Sequence, residues 1–359
     1  MSDIIGIFMK SKTMEEDIKT IAEDLRGELD KLNNKTLLIT GGSGFIGRYI
    51  VLMIDFMNKN TLENPCRVIS VDNLITGAKE FVPESPHIKM INHDVRFPLK
   101  IEEPIDFIVH AAGIASPFYY TKYPLETIEV GTLGTKNMLD LAKIKNVESF
   151  IFFSSSEVYG DPDPRFVPTP ETYFGNVNCI GPRACYDESK RLGETLCMTY
   201  FRLFNLPVKI VRPFNVYGPG IKKDDYRALP NFIYNALKGN PLLVYGTGDH
   251  TRAFCYMNDA VTAFFKVLLS DYNGEVFNVG NSNEEISILD LANLIAEIFD
   301  HKIKIKRISA PIEAYASADP KRRCPDTTKI KGMFGHEPKV DLRTGLCRTI
   351  QWFKEEYNL

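Results

Sequence analysis

The chain has 359 residues, 44% hydrophobic and 25% charged, with a formal net charge of −3. That length accommodates a large core plus a smaller lobe, and near-neutrality gives no electrostatic reason to expect a nucleic-acid partner. Seven scattered cysteines without a CxxC pair argue against a disulfide framework and against a zinc site, so no metal is expected. No run of about 18 apolar residues suggests a membrane partner, and the expected compartment is the cytoplasm.

In chain order, residues from about 13 to 33 carry Met14, Ile18, Ile21, Leu25, Leu29 and Leu32 at steps of three and four. This is an amphipathic helix, expected on the main body or on a partner subunit, with a regulatory or targeting role as the alternative. From Lys35, short apolar runs alternate with helical stretches. Thr36–Thr40, Arg67–Val71, Phe107–His110, Phe150–Ser154 and Val208–Arg212 read as buried parallel strands. Pro124–Lys145 and Tyr186–Asn205 are long enough for crossover helices. The alternation predicts an α/β fold, a Rossmann-like doubly wound parallel sheet, with a smaller C-terminal substrate-binding lobe. Further helices are expected at Asn231–Lys238, Asp259–Ser270 and Ile288–Phe299. The predicted organisation is a helical extension over 1–34 and a dinucleotide-binding domain over 35–212. Residues 213–359 are mainly the substrate lobe, interleaved with returning sheet elements.

Gly41, Gly44 and Gly47 follow the strand TLLIT and, with Phe45 and Ile46, open a helix. The chemistry needs a tight turn that lets backbone N–H groups and a helix N-terminus approach a pyrophosphate. Asp72, followed by Asn73, ends the next strand, where a carboxylate can accept bonds from both hydroxyls of an adenosine ribose. A carboxylate there repels a 2′-phosphate, so the expected cofactor is NAD.

Tyr186 and Lys190 stand four apart on one helix face. Lowering a phenol by about three pKa units to make it a base takes roughly 4 kcal/mol, which a neighbouring cation can help supply. The pair therefore points to hydride transfer at a carbinol carbon.

Four stretches carry a resemblance: SSEVYGDP from Ser155, IGPRACYDESKR from Ile180, TRAF from Thr251 and DPKRRCPD from Asp319. Over about residues 35–355 the chain resembles the extended short-chain dehydrogenase/reductase superfamily, and within it the UDP-glucuronate decarboxylases (UDP-xylose synthases). The resemblance implies a UDP-glucuronate substrate, a 4-keto intermediate and a UDP-pentose product. It implies that Asp94 and Val95 lie beside the adenine and that Ala111 and Ala112 leave room for the cofactor. Ser155 or Ser156 would bond the oxygen at carbon 4, Glu157 would handle a proton near carbon 5, and Arg323 would meet the sugar carboxylate through its planar fork. Asn215, Arg227, Tyr245 and Arg252 match positions that contact the diphosphate or uridine. A homodimer through the Tyr186 helix is implied in the same way.

Ser156 also separates this chain from most 4,6-dehydratases, which resemble one another in carrying Asp before the Glu. A 4,6-dehydratase or 4-epimerase stays as an alternative, and a catalytically dead NAD-sensing regulator is the alternative of a different class. Four features depart from the family pattern: Gly131 stands in place of Asn, Gly113–Tyr120 replaces an SPASPPNY-like loop, Gly220 replaces the Arg of YGPR, and the loop between Glu157 and Tyr186 is slightly longer than usual.

Overall fold

The computed structural model describes residues 11–77, 83, 85–309 and 319–359. The first strands are β1 (Thr36–Thr40), β2 (Arg67–Asp72), β3 (Ile88–Asn92), β4 (Phe107–His110), β5 (Ser149–Phe153) and β6 (Val208–Pro213). Short strands follow: β7 (Val216–Tyr217), β8 (Leu242–Tyr245), β9 (Thr251–Ala253) and β10 (Cys255–Tyr256). Then come β11 (Glu275–Val279), β12 (Glu285–Ser287), β13 (Ile305–Ile308) and β14 (Arg322–Arg323).

Seven of these form one parallel sheet in the order β11-β6-β5-β4-β1-β2-β3. Leu37, Leu38 and Ile39 have no exposed surface, as expected of a strand covered on both faces. β3 lies at the sheet edge, and its sequence IKMIN alternates between half-buried and exposed positions. That alternation is why it does not read as a buried strand. The chain builds outward from β1 to β3, then returns to β4 on the other side of β1. The reversal opens a crevice at the carboxyl ends of β1 and β4, where ligands of such sheets bind.

Helices α1 (Lys12–Asp24) and α2 (Phe45–Asn60) flank β1 in sequence. The expected helix over 13–33 is shorter than its periodicity suggests: α1 ends at Asp24, and a 3-10 turn covers Leu29–Leu32. Gly27 falls in the intervening turn, where a helix would cost it conformational freedom. Leu25, Leu29 and Leu32 are nonetheless fully buried, in one core with residues of α2 and of the C-terminal helix Leu342–Tyr357. The extension is thus packed on the body of its own chain.

The stretch from Pro124 is also not one regular helix. After α3 (Pro117–Lys122) and α4 (Pro124–Glu129), a π-helical turn over Val130–Gly134 precedes α5 (Thr135–Lys145). α6 (Ala184–Phe204) packs across this turn, and α7 (Ala228–Leu237), α8 (Met257–Leu268) and α9 (Ile288–Ile298) follow. Among the described residues no helix is long and apolar enough to cross a membrane.

One buried polar node fixes α1. Asp17 has no exposed surface and accepts from the Tyr256 hydroxyl at 2.6 Å and from Arg348 Nε at 2.9 Å, with Tyr49 at 3.4 Å. Removing one member leaves the others buried without their partner. Asp17→Ala is therefore expected to cost about 3 kcal/mol, read as a lower urea midpoint; an unchanged midpoint would show that the node contributes nothing.

Candidate active site

The glycine fingerprint is a packing requirement as well as a conformational one. Gly41 sits at φ +72°, and a Cβ there would lie 2.9 Å from the backbone of Ala111 and Ala112. A Cβ at Gly47 would lie 2.0 Å from the Gly41 carbonyl, so the turn and α2 can approach only as glycines. Gly44 caps α2 in extended conformation, and a Cβ there would meet only the Gly41 carbonyl, at 3.1 Å. Phe45 and Ile46, in the first turn of α2, pack partly buried on the core. Asp72 accepts from the backbone N–H of Ser43 at 3.0 Å and of Leu74 at 2.8 Å. Burial raises its carboxyl above the ordinary range while those two N–H groups pull it down. A carboxylate offers about four lone-pair sites, so capacity remains for ribose hydroxyls. Asn73 donates to Asp94 at 3.1 Å, and Asp94 is gripped by Arg96. Val95 is buried, and its carbonyl accepts from Asn137. These residues form an open cradle that fits a dinucleotide.

A hydrogen-bonded chain fixes the wall of the crevice. Ala112 N–H donates to Thr40 Oγ1 at 3.2 Å, and Thr40 Oγ1 lies 2.7 Å from His110 Nδ1. His110 Nε2 lies 3.1 Å from Thr135 Oγ1, whose hydroxyl donates to the Gly131 carbonyl at 2.8 Å. With Thr135 already donating, His110 must carry its proton on Nε2 and accept from Thr40 on Nδ1. Burial, helped by repulsion from Lys190, drops the imidazole pKa to about 3, so it stays neutral.

Tyr186 and Lys190 lie on the inner face of α6, both buried. Lys190 Nζ donates to the Phe153 carbonyl at 2.7 Å and stands 5.8 Å from the Tyr186 ring centre. Burial pushes the lysine down to about 8. Burial also pushes the Tyr186 phenol up to about 12, with Glu157 and Asp187 adding repulsion and a hydrogen bond to Ser155 opposing it. Lys190, expected to help lower the phenol, donates to a carbonyl and does not by itself offset the cost of burial. Ser155 caps a 3-10 turn over Ser156–Tyr159 by accepting from Glu157 N–H at 3.2 Å, and Ser156 is buried in that turn.

Beside them sits a cluster of arginines and acids. Glu157 accepts from Arg183 Nη2 at 2.5 Å and lies 2.9 Å from Arg323 Nη2. Asp319 meets Arg252 Nη2 at 2.6 Å, Arg183 Nη1 at 3.1 Å and Arg323 Nη2 at 3.5 Å. Against burial, Arg183 and Arg323 hold the Glu157 carboxyl below its ordinary value. Arg252 and three neighbouring groups likewise hold Asp319 well below the carboxylate range against burial. Asp187, one residue after Tyr186, goes the other way: burial and repulsion from Glu157 lift it to about 8. Arg183, Asp187 and Asp319 lie inside motifs read from the sequence, but nothing in their spacing singles them out. Only the fold unites them.

Of the residues expected at the nucleotide end, Asn215 and Arg252 join this cluster. Asn215 Oδ1 accepts from Arg323 at 3.4 Å, and its Nδ2 donates to the Ala253 carbonyl at 2.9 Å. Arg227 is bound by Asp225, and its charge also acts on Tyr186. Tyr245 stands half-exposed at the end of β8. The unexpected loop is aromatic: Tyr120 stacks on Tyr186 at 5.3 Å, and Phe118 faces Tyr226 at 4.3 Å.

Residues 37–280 match the model of the NAD dependent epimerase/dehydratase family. The chain is 42% identical over 317 residues to UDP-glucuronic acid decarboxylase 5 of Arabidopsis thaliana, covering 88% of each. It is 41% identical to UDP-glucuronic acid decarboxylase 1 of Xenopus tropicalis, covering 91% of this chain and 74% of that one. Among solved structures, a dTDP-glucose 4,6-dehydratase from Streptomyces venezuelae with NAD bound superposes with a TM-score of 0.78 at 25% identity. That match covers 90% of this chain and 98% of the other.

The lowered lysine pKa has a stability consequence. Between about 8 and the ordinary 10.5, unfolded chains hold a proton at Lys190 that folded chains have lost. Stability therefore rises with pH where the unfolded state binds more protons. Denaturation midpoints measured across that window should climb more steeply for the wild type than for Lys190→Met. Parallel curves would remove the assignment.

Proposed function

The chain belongs to the NAD dependent epimerase/dehydratase family, and from that premise we propose that it decarboxylates UDP-glucuronate to a UDP-pentose. The observation that carries this reading is the convergence of Arg183, Arg252 and Arg323 on Glu157 and Asp319, with Glu157 also acting on Tyr186. Three guanidinium groups face two ionised acids, Glu157 and Asp319, because Asp187 keeps its proton near neutrality. The surplus of positive charge is what a sugar carboxylate would neutralise. The two decarboxylase relatives point to the same substrate.

Gly41, Gly44, Gly47 and Asp72 would hold NAD, which would supply the hydride acceptor for carbon 4. As the phenolate, which Lys190 and the positive charge that NAD would bring both favour, Tyr186 takes the proton of the 4-hydroxyl and later gives it back. Ser155, already bonded to Tyr186, orients that hydroxyl, and Lys190 fixes α6 against β5 through the Phe153 carbonyl. Oxidation places the carboxylate β to a ketone, so the bond to carbon 5 breaks with its electrons entering an enolate. Arg323 and Arg183 hold the carboxylate until it leaves.

With UDP-glucuronate and NAD, the product is expected to be lighter by one carbon dioxide. Loss of water instead would indicate a dehydratase, and an unchanged mass an epimerase. Tyr186→Phe should lower kcat about a hundredfold or more; undiminished turnover would remove Tyr186 from the mechanism.

We further propose that two copies pair through α4 and α6, which pack side by side. Leu125 and Ile128 on α4, Leu133 in the π-turn and Leu192 on α6 are exposed, and exposed apolar residues grouped on adjoining elements favour a protein partner. Sedimentation velocity should read the mass of two chains, and a single-chain mass at micromolar concentration would exclude the pairing.

A further inference from the structure

Loss of carbon dioxide from a carboxylate leaves carbon 5 one proton short. Tyr186 cannot make up the deficit, because the proton it takes from the 4-hydroxyl must return to the same oxygen. Each turnover therefore needs one proton from a separate group, later replaced from water. Glu157 is the carboxylate nearest the chemistry, but it accepts from Arg183 at 2.5 Å and lies 2.9 Å from Arg323. Both contacts keep it ionised, so it can pass a proton on but does not store one.

Asp187 follows Tyr186 directly in α6 and is only 6% exposed. Among the described residues its Oδ1 has no hydrogen-bond partner, and its Oδ2 stands 3.8 Å from Arg183 Nε, an ion pair beyond hydrogen-bonding range. A buried, under-bonded carboxyl is costly as an anion and tolerable as an acid. Arg183 is also the residue that bonds Glu157, so the two carboxyl groups share one guanidinium. The charged groups facing Asp187 come from three regions: Glu157 in the 3-10 turn, Arg183 at the cap of α6 with Glu188 on that helix, and Arg323 on β14.

We propose that Asp187 is the proton reservoir of the site, supplying through Glu157 the proton that carbon 5 takes when carbon dioxide leaves. The inference rests on the decarboxylase reading. The O–H bond of Asp187 breaks as Glu157 gains a proton, and the C–H bond at carbon 5 forms as Glu157 loses it. The enolate electrons make that bond, the 4-ketone is restored, and Asp187 is left as a carboxylate until solvent reprotonates it. Burial and repulsion from Glu157, which lift this carboxyl to about 8, keep it loaded near neutral pH. Asp187 is in this sense a positioning residue for the proton: it acts through Glu157 rather than on the sugar.

The test compares the wild type, Asp187→Asn and Asp187→Glu as full chains with UDP-glucuronate and NAD, following reduced nicotinamide absorbance and carbon dioxide release in single turnovers. In Asp187→Asn the rise of reduced nicotinamide should keep its wild-type rate, while its decay and kcat fall about a hundredfold. KM should stay within about twofold, and Asp187→Glu should restore part of the decay rate. A structural defect would instead slow rise and decay together, and that result overturns the proposal, as does wild-type decay in Asp187→Asn. If the wild type releases no carbon dioxide, the decarboxylase reading falls and this inference with it. If only the variants behave alike, the reading stands and the reservoir does not.

Discussion

Glu157 is a largely buried carboxylate, its side chain 12% exposed, held between two guanidinium groups, and the site is assembled around that contact. Removing such charges from water costs several kcal/mol per ion, repaid only when the geometry is good. Glu157 comes from the turn after β5, Arg183 from the start of α6 and Arg323 from β14. None of these elements satisfies its charge until all three are in place. The same contact therefore joins the C-terminal lobe to the dinucleotide sheet and sets the wall beside Tyr186. The parallel pairing of β14 with β9 places Arg323 level with Arg252. Their repulsion, on top of burial, lowers Arg252 to about 10, and Asp319 offsets it.

The strands that burial dictates were legible because a parallel strand covered on both faces must be apolar throughout: β1 and β4 have their expected bounds, and β2, β5 and β6 differ by a residue. What the sequence hides are features set by neighbours. β3 alternates because it is an edge, and the π-turn follows from how closely α6 approaches. The glycine turn is visible because its spacing is local. Glu157, Arg183 and Asp319 meet across 26 and 136 residues of chain, and only topology brings them within bonding distance. The motif that carries Tyr186 also contains Arg183 and Asp187, yet adjacency in sequence does not say which side chains turn inward.

The departures from the family pattern acquire physical reasons of their own. A Cβ at Gly131 would lie 2.7 Å from the Ser189 side chain, so this position cannot hold an asparagine without moving α6. The Gly131 carbonyl instead ends the bonded chain that begins at Ala112, tying the crevice wall to the π-turn on which α6 packs. Gly220 stands at φ +92°, and a Cβ there would meet the Arg48 guanidinium at 2.8 Å. An arginine thus still occupies that neighbourhood, supplied by α2.

The balance of charge in the cluster matters as much as its sign. A lone arginine would bind a substrate carboxylate tightly, yet the carbon dioxide that leaves is neutral, so that attraction is lost in the transition state. Interactions accelerate a step only when they are stronger there than in the ground state. Glu157 and Asp319 weaken the pull of Arg323 without abolishing it, because each shares its charge with Arg183 as well. On the proposed reading, selection of the sugar's shape would fall to the aromatic loop. Ser116 donates to the Asp225 carbonyl at 2.7 Å, and Phe118 packs on Tyr226, so the loop closes against the segment carrying Arg227. On the proposed decarboxylase reading, the arginines would recognise the carboxylate that uronic acids share, and the loop over Tyr186 would distinguish one ring from another.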